Sequence, residues 1–139
     1  MKTVNWKIYL NKPPQVVYQF LSTAKGRKQF WAESAEEVNG VIHFKFPNGW
    51  EYLGKIIRQI QNEEFSVDYF DSKVTFRLVA SGSGTDLELI NEKVPEQEFE
   101  EVLSGWVSVL MCMKAAVDFG VDLRNHNSNK TWDQGFINN

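Results

Sequence analysis

The sequence predicts an α+β domain in which a strongly curved antiparallel sheet wraps around one long helix. Three observations lead there. Segments alternating apolar and polar residues follow one another through hairpin-length turns, which implies antiparallel neighbours. Apolar residues recur at spacings of three and four over one late stretch, Pro95 to Phe119, which at 1.5 Å per residue makes a helix of about 37 Å. The order is strand, two short helices, about six strands, long helix, and a run of strands followed by a helix indicates α+β.

Each element has a local reason. Val4, Trp6, Ile8 and Leu10 alternate with Asn5, Lys7 and Tyr9, a half-buried strand ended by Asn11-Lys12-Pro13-Pro14. Proline is tolerated in the first turn of a helix. Val16, Val17, Phe20 and Leu21 then recur at helical spacing. Ser22 or Thr23 can cap a second short helix running through Phe30 and Trp31. Glu33 to Val38 reads as a strand, Asn39-Gly40 as a hairpin turn, and Ile42, Phe44 and Phe46 as the apolar side of the next strand. Pro47-Asn48-Gly49 turns into a long strand from Trp50 to Ile60. After Asn62-Glu63, residues Phe65, Val67 and Tyr69 alternate, and Asp71-Ser72 is read as the following turn. Val74, Phe76 and Leu78 form another apolar face, Ser81 to Gly84 a flexible hairpin loop, and Leu87 and Leu89 the last strand. In the long helix, Phe99, Val102, Trp106, Val109, Leu110, Met113 and Val117 make the apolar stripe, acidic residues sit near its positive end, and Gly120 suits the position just past its end. The polar stretch that follows carries Leu123, Trp132 and Phe136, so residues 121–139 are expected to pack on the body as part of a single domain spanning 1–139.

Composition excludes several function classes. The 139 residues fit one domain large enough for a core without disulfides. Fifteen Lys and Arg against eighteen Asp and Glu give a net charge of −3, a poor footing for nucleic acid, whose phosphates need a concentrated basic surface. One cysteine permits no internal disulfide framework, and two distant histidines with that cysteine argue against a zinc or iron site. Cofactors and metals are accordingly expected to be none. The longest apolar stretch, Val107 to Val117, is far shorter than the ~20 residues of a membrane span. Met1 to Trp6 lacks the apolar stretch of a signal peptide, so a cytoplasmic location is expected.

The order of elements, together with particular residues, resembles the START-like helix-grip superfamily (SRPBCC), and within it the single-domain group homologous to activators of the heat-shock-protein-90 ATPase. Pro13-Pro14-Gln15-Val16-Val17-Tyr18 matches the group's proline-led first helix. Phe30-Trp31 matches a tryptophan at the end of the second helix, and Gly105-Trp106 a feature of the long helix. Gly120-Val121-Asp122-Leu123-Arg124-Asn125-His126, followed by Thr131-Trp132-Asp133-Gln134-Gly135, looks like a tail of bacterial members. The resemblance implies a helix-grip fold with a space between sheet and long helix that commonly holds a ligand. True chaperone activators pair such a domain with a separate N-terminal domain. None is recognised in these residues, so a chaperone partner is expected to rank below a small ligand.

Against this background the aromatic content, 14% of the chain, has two readings. The rings fill a core, or they line a ligand cavity to which Tyr and Trp bring polar atoms on apolar bodies. Trp31, Phe44, Phe46, Tyr52, Tyr69, Phe76 and Trp106 are the candidate lining, with Tyr52 and Tyr69 able to orient a ligand's polar end. The function expected is binding of a small hydrophobic or amphipathic molecule. A closed, filled core would favour the alternative of a protein-interaction module on a chaperone. A charged residue facing inward would favour a cyclase-type enzyme, for which no acid–base pair is found by spacing. His43 lies on the polar side of its strand. His126, near Asp122 and Arg124, suits a structural hydrogen bond or salt bridge, and Cys112, mid-helix, an inert core thiol.

Overall fold

In the computed structural model, which describes residues 1–139, the chain opens with strand β1 (Lys2–Leu10) and two short helices, α1 (Pro14–Ser22) and α2 (Ala24–Lys28). Six strands follow: β2 (Ser34–Val38), β3 (Val41–Lys45), β4 (Glu51–Ile60), β5 (Glu64–Tyr69), β6 (Ser72–Ser81) and β7 (Gly84–Val94). A 3₁₀ turn at Glu96–Glu98 leads into α3 (Phe99–Phe119), and a second 3₁₀ turn lies at Trp132–Gln134. The seven strands make one antiparallel sheet in the order β1-β7-β6-β5-β4-β3-β2. This is the α+β helix-grip architecture the sequence predicts.

Strand ends shift by a residue at Glu33 and Trp50, and three other boundaries differ from the sequence reading. The long helix is α-helical only from Phe99, because the residues after Pro95 form a tighter turn in which Glu98 N–H donates to Pro95 O at 3.0 Å. The second helix stops at Lys28 instead of running through Trp31. Thr23 caps it, its Oγ1 accepting from Gly26 N–H at 3.0 Å and donating to Gln19 O at 2.6 Å. This joins α1 to α2 through one residue, and only glycine fits at 26: a Cβ there would stand 2.4 Å from both Gln19 O and Phe20 Cα. Third, the β5–β6 turn is made by Phe70 and Asp71, with Tyr69 paired to Ser72, one residue earlier than Asp71-Ser72.

The inner face of the sheet presents Val4, Leu10, Ile42, Phe44, Phe65, Val67, Val74, Phe76, Leu87 and Leu89, all fully buried, to α1 and α3. From α3 come Trp106, Leu110, Met113, Ala116 and Val117, and from α1 Val17 and Leu21. Residues 96–119 are long and apolar enough for a bilayer by composition, with a mean hydropathy of 1.5. With this face packed into the core, the helix is not a clear membrane span. Gly120 ends it in the left-handed conformation, φ 63°, its N–H bonding back to Ala116 O.

The segment after α3 runs across the body. The Arg124 guanidinium donates to Ala32 O at 2.9 Å and Lys28 O at 2.6 Å. Asn48 Nδ2 donates to Asp133 Oδ1 at 3.4 Å, Trp132 Nε1 to Glu101 Oε1 at 3.1 Å, and Ser108 Oγ to Ile137 O at 2.5 Å. The segment thus touches the α2–β2 loop, the β3–β4 turn and α3.

Candidate functional site

Trp31 sits in the loop between α2 and β2, 4% exposed, at the centre of a network of rings. Its centroid lies 4.9 Å from Phe44, 5.3 Å from Phe76, 5.4 Å from Tyr69 and 6.0 Å from Trp106. Period-two alternation explains the meeting: Phe44, Tyr69 and Phe76 each point inward from β3, β5 and β6. Phe46 stacks on Phe44 at 6.2 Å, and Tyr52 meets Tyr69 at 6.2 Å. All seven residues singled out in the sequence therefore share one contiguous cluster. Trp31, Phe44, Phe76 and Trp106 form its buried floor, and Phe46, Tyr52 and Tyr69 its half-buried rim.

Two members were not legible as such. Phe70, 43% exposed, stacks on Tyr52 at 4.6 Å and lies 4.8 Å from Tyr69. It does so from φ 49°, beside Asp71 at φ 60°. Both central turn residues lie in the left-handed region that such a hairpin normally fills with Asn and Gly, and for a bulky ring this carries strain of about 1–3 kcal/mol. The stacking on Tyr52 and the bond from Asp71 N–H to the Tyr52 hydroxyl, 3.1 Å, hold it there. The second is Asn91, 2% exposed. Its Oδ1 accepts from Trp106 Nε1 at 2.9 Å, and its Nδ2 donates to Ser72 Oγ at 2.8 Å. A signal was available: Asn91 continues the inward series Leu87, Leu89, so a polar residue stands at a core position.

The polar atoms divide accordingly. Trp106 is committed to Asn91. Tyr52 donates to Asp68 Oδ1 at 3.0 Å; burial, followed by smaller acidic influences, raises its pKa against the opposing bond from Asp71. Burial pushes the Tyr69 hydroxyl well above its ordinary range. Trp31 Nε1 is different, being the one buried side-chain polar atom with no hydrogen-bond partner. Its proximity to Tyr69 slightly offsets the effect of burial on that hydroxyl, without forming a hydrogen bond. The seven lining residues are all aromatic, and the carboxylate at the rim, Asp68, accepts from Tyr52. No group of three or more His, Cys, Asp or Glu is placed to hold a metal ion.

The rings are in mutual contact, with neighbouring centroids 4.9 to 6.0 Å apart. A concavity of about 510 Å³ lies elsewhere, lined by polar side chains including Gln15, Gln19, Gln59 and Gln61 between α1 and the β4–β5 turn, and none of the seven aromatic candidates borders it. His43, outside the cluster, contacts Glu51 Oε1 at 2.5 Å on the outer face. Cys112 is buried, and burial first of all raises its pKa.

Residues 11–118 match the family described as Activator of Hsp90 ATPase homolog 1-like protein. The chain belongs to this family. No curated protein matches it. Among solved structures, a Staphylococcus saprophyticus protein is similar at a TM-score of 0.78 and 22% identity, over 88% of this chain and 96% of that one. The Aha1 dimer from Colwellia psychrerythraea is similar at 0.77 and 22%, over 86% and 98%. CalU16 from Micromonospora echinospora follows at 0.68 and 20%, over 85% and 77%. At these identities the likenesses show a shared fold, and at the level of the family this fold fits a ligand-binding or Aha1-related module.

Proposed function

We propose that this Aha1-like chain binds a small apolar or amphipathic molecule carrying a hydrogen-bond acceptor. Binding would take place among Trp31, Phe44, Phe46, Tyr52, Tyr69, Phe76 and Trp106, with Phe70 at the rim. The observation that carries this is the unpartnered Trp31 Nε1. A buried donor left unpaired costs about 1–3 kcal/mol, which an acceptor on a ligand would recover, while the surrounding rings take up its apolar part at roughly 25 cal/mol per Å². Because the rings already touch, the ligand displaces Tyr69 and the strained Phe70 instead of filling a void, so the site is a cryptic one. A cytoplasmic location, consistent with the free thiol of Cys112, belongs to the same proposal.

The test is a fluorescence titration with anilinonaphthalene sulfonate, accompanied by native mass spectrometry for a co-purified small molecule. Trp31→Phe keeps a ring and removes the donor, so affinity should fall about tenfold, the equivalent of roughly 1.4 kcal/mol. Equal affinity for both proteins would sink the reading. A second reading, a protein-interaction module of the chaperone-activator kind, is favoured by the mutual contact of the rings and by Val38, Trp50 and Leu53, which are 62–69% exposed on β2–β4 and the preceding turn. Saturable stimulation of a chaperone ATPase by this chain, abolished by Leu53→Asp, would establish that reading instead.

A further inference from the structure

The segment after α3 is fastened to the body through an imidazole held between two carboxylates. His126 Nδ1 lies 2.8 Å from Glu33 Oε1 and its Nε2 lies 2.6 Å from Asp122 Oδ2. A neutral imidazole has one N–H and one lone pair, so one of these contacts would set a lone pair against a carboxylate oxygen. Only the doubly protonated ring donates to both. The backbone of His126 is itself in the left-handed region, φ 53°, so the local chain path is bent to bring the ring into this position.

What the imidazolium fastens is specific. Glu33 lies two residues beyond Trp31, and Arg124 donates to the carbonyls of Lys28 and Ala32 on either side of Trp31. The segment therefore grips the loop that carries the central ring of the aromatic cluster. Farther along it is held by single polar bonds of Asp133 with Asn48, Trp132 with Glu101, and Ile137 with Ser108, and by the packing of the buried Thr131 and the half-buried Trp132.

We propose that residues 120–139 form a proton-controlled strap over the Trp31 loop: His126 as imidazolium clasps Glu33 to Asp122, and loss of its proton frees Glu33, at the far end of that loop, together with the strap beyond Arg124, and so opens the aromatic cluster from that side. The opening half rests on the ligand-binding reading above; the clasp itself does not. Of the charged and titratable groups on the adjoining elements, the two that bond to the ring are the carboxylates of Glu33 and Asp122. Asp122 and Arg124 come from the strap, Glu33 and Lys28 from the α2–β2 region, Lys45 from β3, whose carbonyl receives Glu33 N–H, and Cys112 from α3. Lys28 meets the strap through its carbonyl. Arg124 is bound to Asp122 at 3.0 Å and to the carbonyls of Ala32 and Lys28, contacts that do not involve His126, so it acts as the fixed end about which the strap loosens. The hydrogen bond to Asp122 first, then that to Glu33, raises the His126 pKa against a smaller effect of burial. A raised folded-state pKa gives stabilisation that is complete below the free imidazole value and is lost as pH rises through the folded one.

Hydrogen–deuterium exchange of the full chain from about pH 5 to about pH 9, each rate divided by the intrinsic rate at that pH, reads the clasp directly. Residues 127–136 should lose protection as His126, followed by ring NMR, gives up its proton, by about tenfold for each unit its pKa stands above the free value. Glu33→Gln should move the transition to lower pH, and His126→Gln should leave exchange fast and independent of pH. A ring titrating at or below about 6.5, or protection unchanged through its titration, would overturn the clasp. The rate of anilinonaphthalene sulfonate uptake should rise in step with loss of protection. Exchange that responds to pH while dye uptake does not would overturn the opening half. Failure of the Trp31→Phe titration, by contrast, would remove the ligand reading and leave the clasp standing.

Discussion

Trp106→Phe tests whether the bond between Trp106 and Asn91 is what seats α3 on the sheet. The substitution keeps an aromatic ring in a 4% exposed position and removes the donor 2.9 Å from Asn91 Oδ1. Asn91 is itself 2% exposed, so its oxygen would be left without its side-chain donor at a cost of about 1–3 kcal/mol. The smaller ring gives up roughly another 1–2 kcal/mol of burial, at ~0.8 kcal/mol per methylene-sized group. The expected total is about 3 kcal/mol, which in a chain of this size lowers Tm by roughly 10 °C. Chemical denaturation of Trp106→Phe, Asn91→Val and the double variant measures the coupling. The two losses should fall short of additive by about 1–2 kcal/mol, because the second substitution no longer orphans a partner. Additivity within about 0.5 kcal/mol would refute the idea that this bond, and not ring packing alone, anchors the helix.

Arg27 is 1% exposed and donates to Ala35 O at 3.1 and 2.8 Å and to Leu21 O at 2.9 Å. Arg27→Met, which keeps the apolar stem and deletes these charged donors, should cost roughly 3 kcal/mol by urea denaturation, and a loss under about 1 kcal/mol would contradict a clamping role. Burial would raise the Asp122 pKa, but hydrogen bonds from the Arg124 side chain and N–H and from His126 outweigh it and hold the carboxyl at about 2. Its depressed value gives stability that is present above the unfolded value, about 3.9, and lost as pH falls towards 2. Melting curves of the wild type and Asp122→Asn across that interval should converge as the pH drops, and parallel curves would argue against the linkage.

The strands and the long helix could be read from the sequence because their faces are periodic: Ile42, Phe44 and Val74, Phe76, Leu78 all lie where alternation puts them. The inward rings that the strands bring to the candidate site followed from the same rule, applied to Phe44, Tyr69 and Phe76. What periodicity misses are choices made by tertiary contact. Phe70 occupies a turn position against local preference because Tyr52 is there to receive its ring, and Asn91 tolerates burial because Trp106, Ser72 and Lys73 satisfy it. The short reach of α2 likewise depends on Thr23 and Gly26 closing on α1, a contact between elements. The clasp at His126 was foreshadowed only in part. Asp122 lies one helical turn before it in sequence, but Glu33 comes from a distant loop.

The position of β1 has a consequence for how the chain acquires its structure. Lys2 pairs with Val94 and Leu10 with Thr85, and the Trp6 indole donates to Leu103 O of α3 at 3.1 Å. Made before the other six strands of its sheet, β1 can find its neighbour β7 only after nearly the whole sheet has been synthesised. Such distant pairings carry a loop-closure penalty ahead of any gain, and they slow folding towards the millisecond-to-second range. During that interval β1 is an unpartnered strand. Its outward residues Asn5 and Lys7 make it a poor template for a second nascent chain, so the same polar positions that face solvent in the finished domain guard its slowest step.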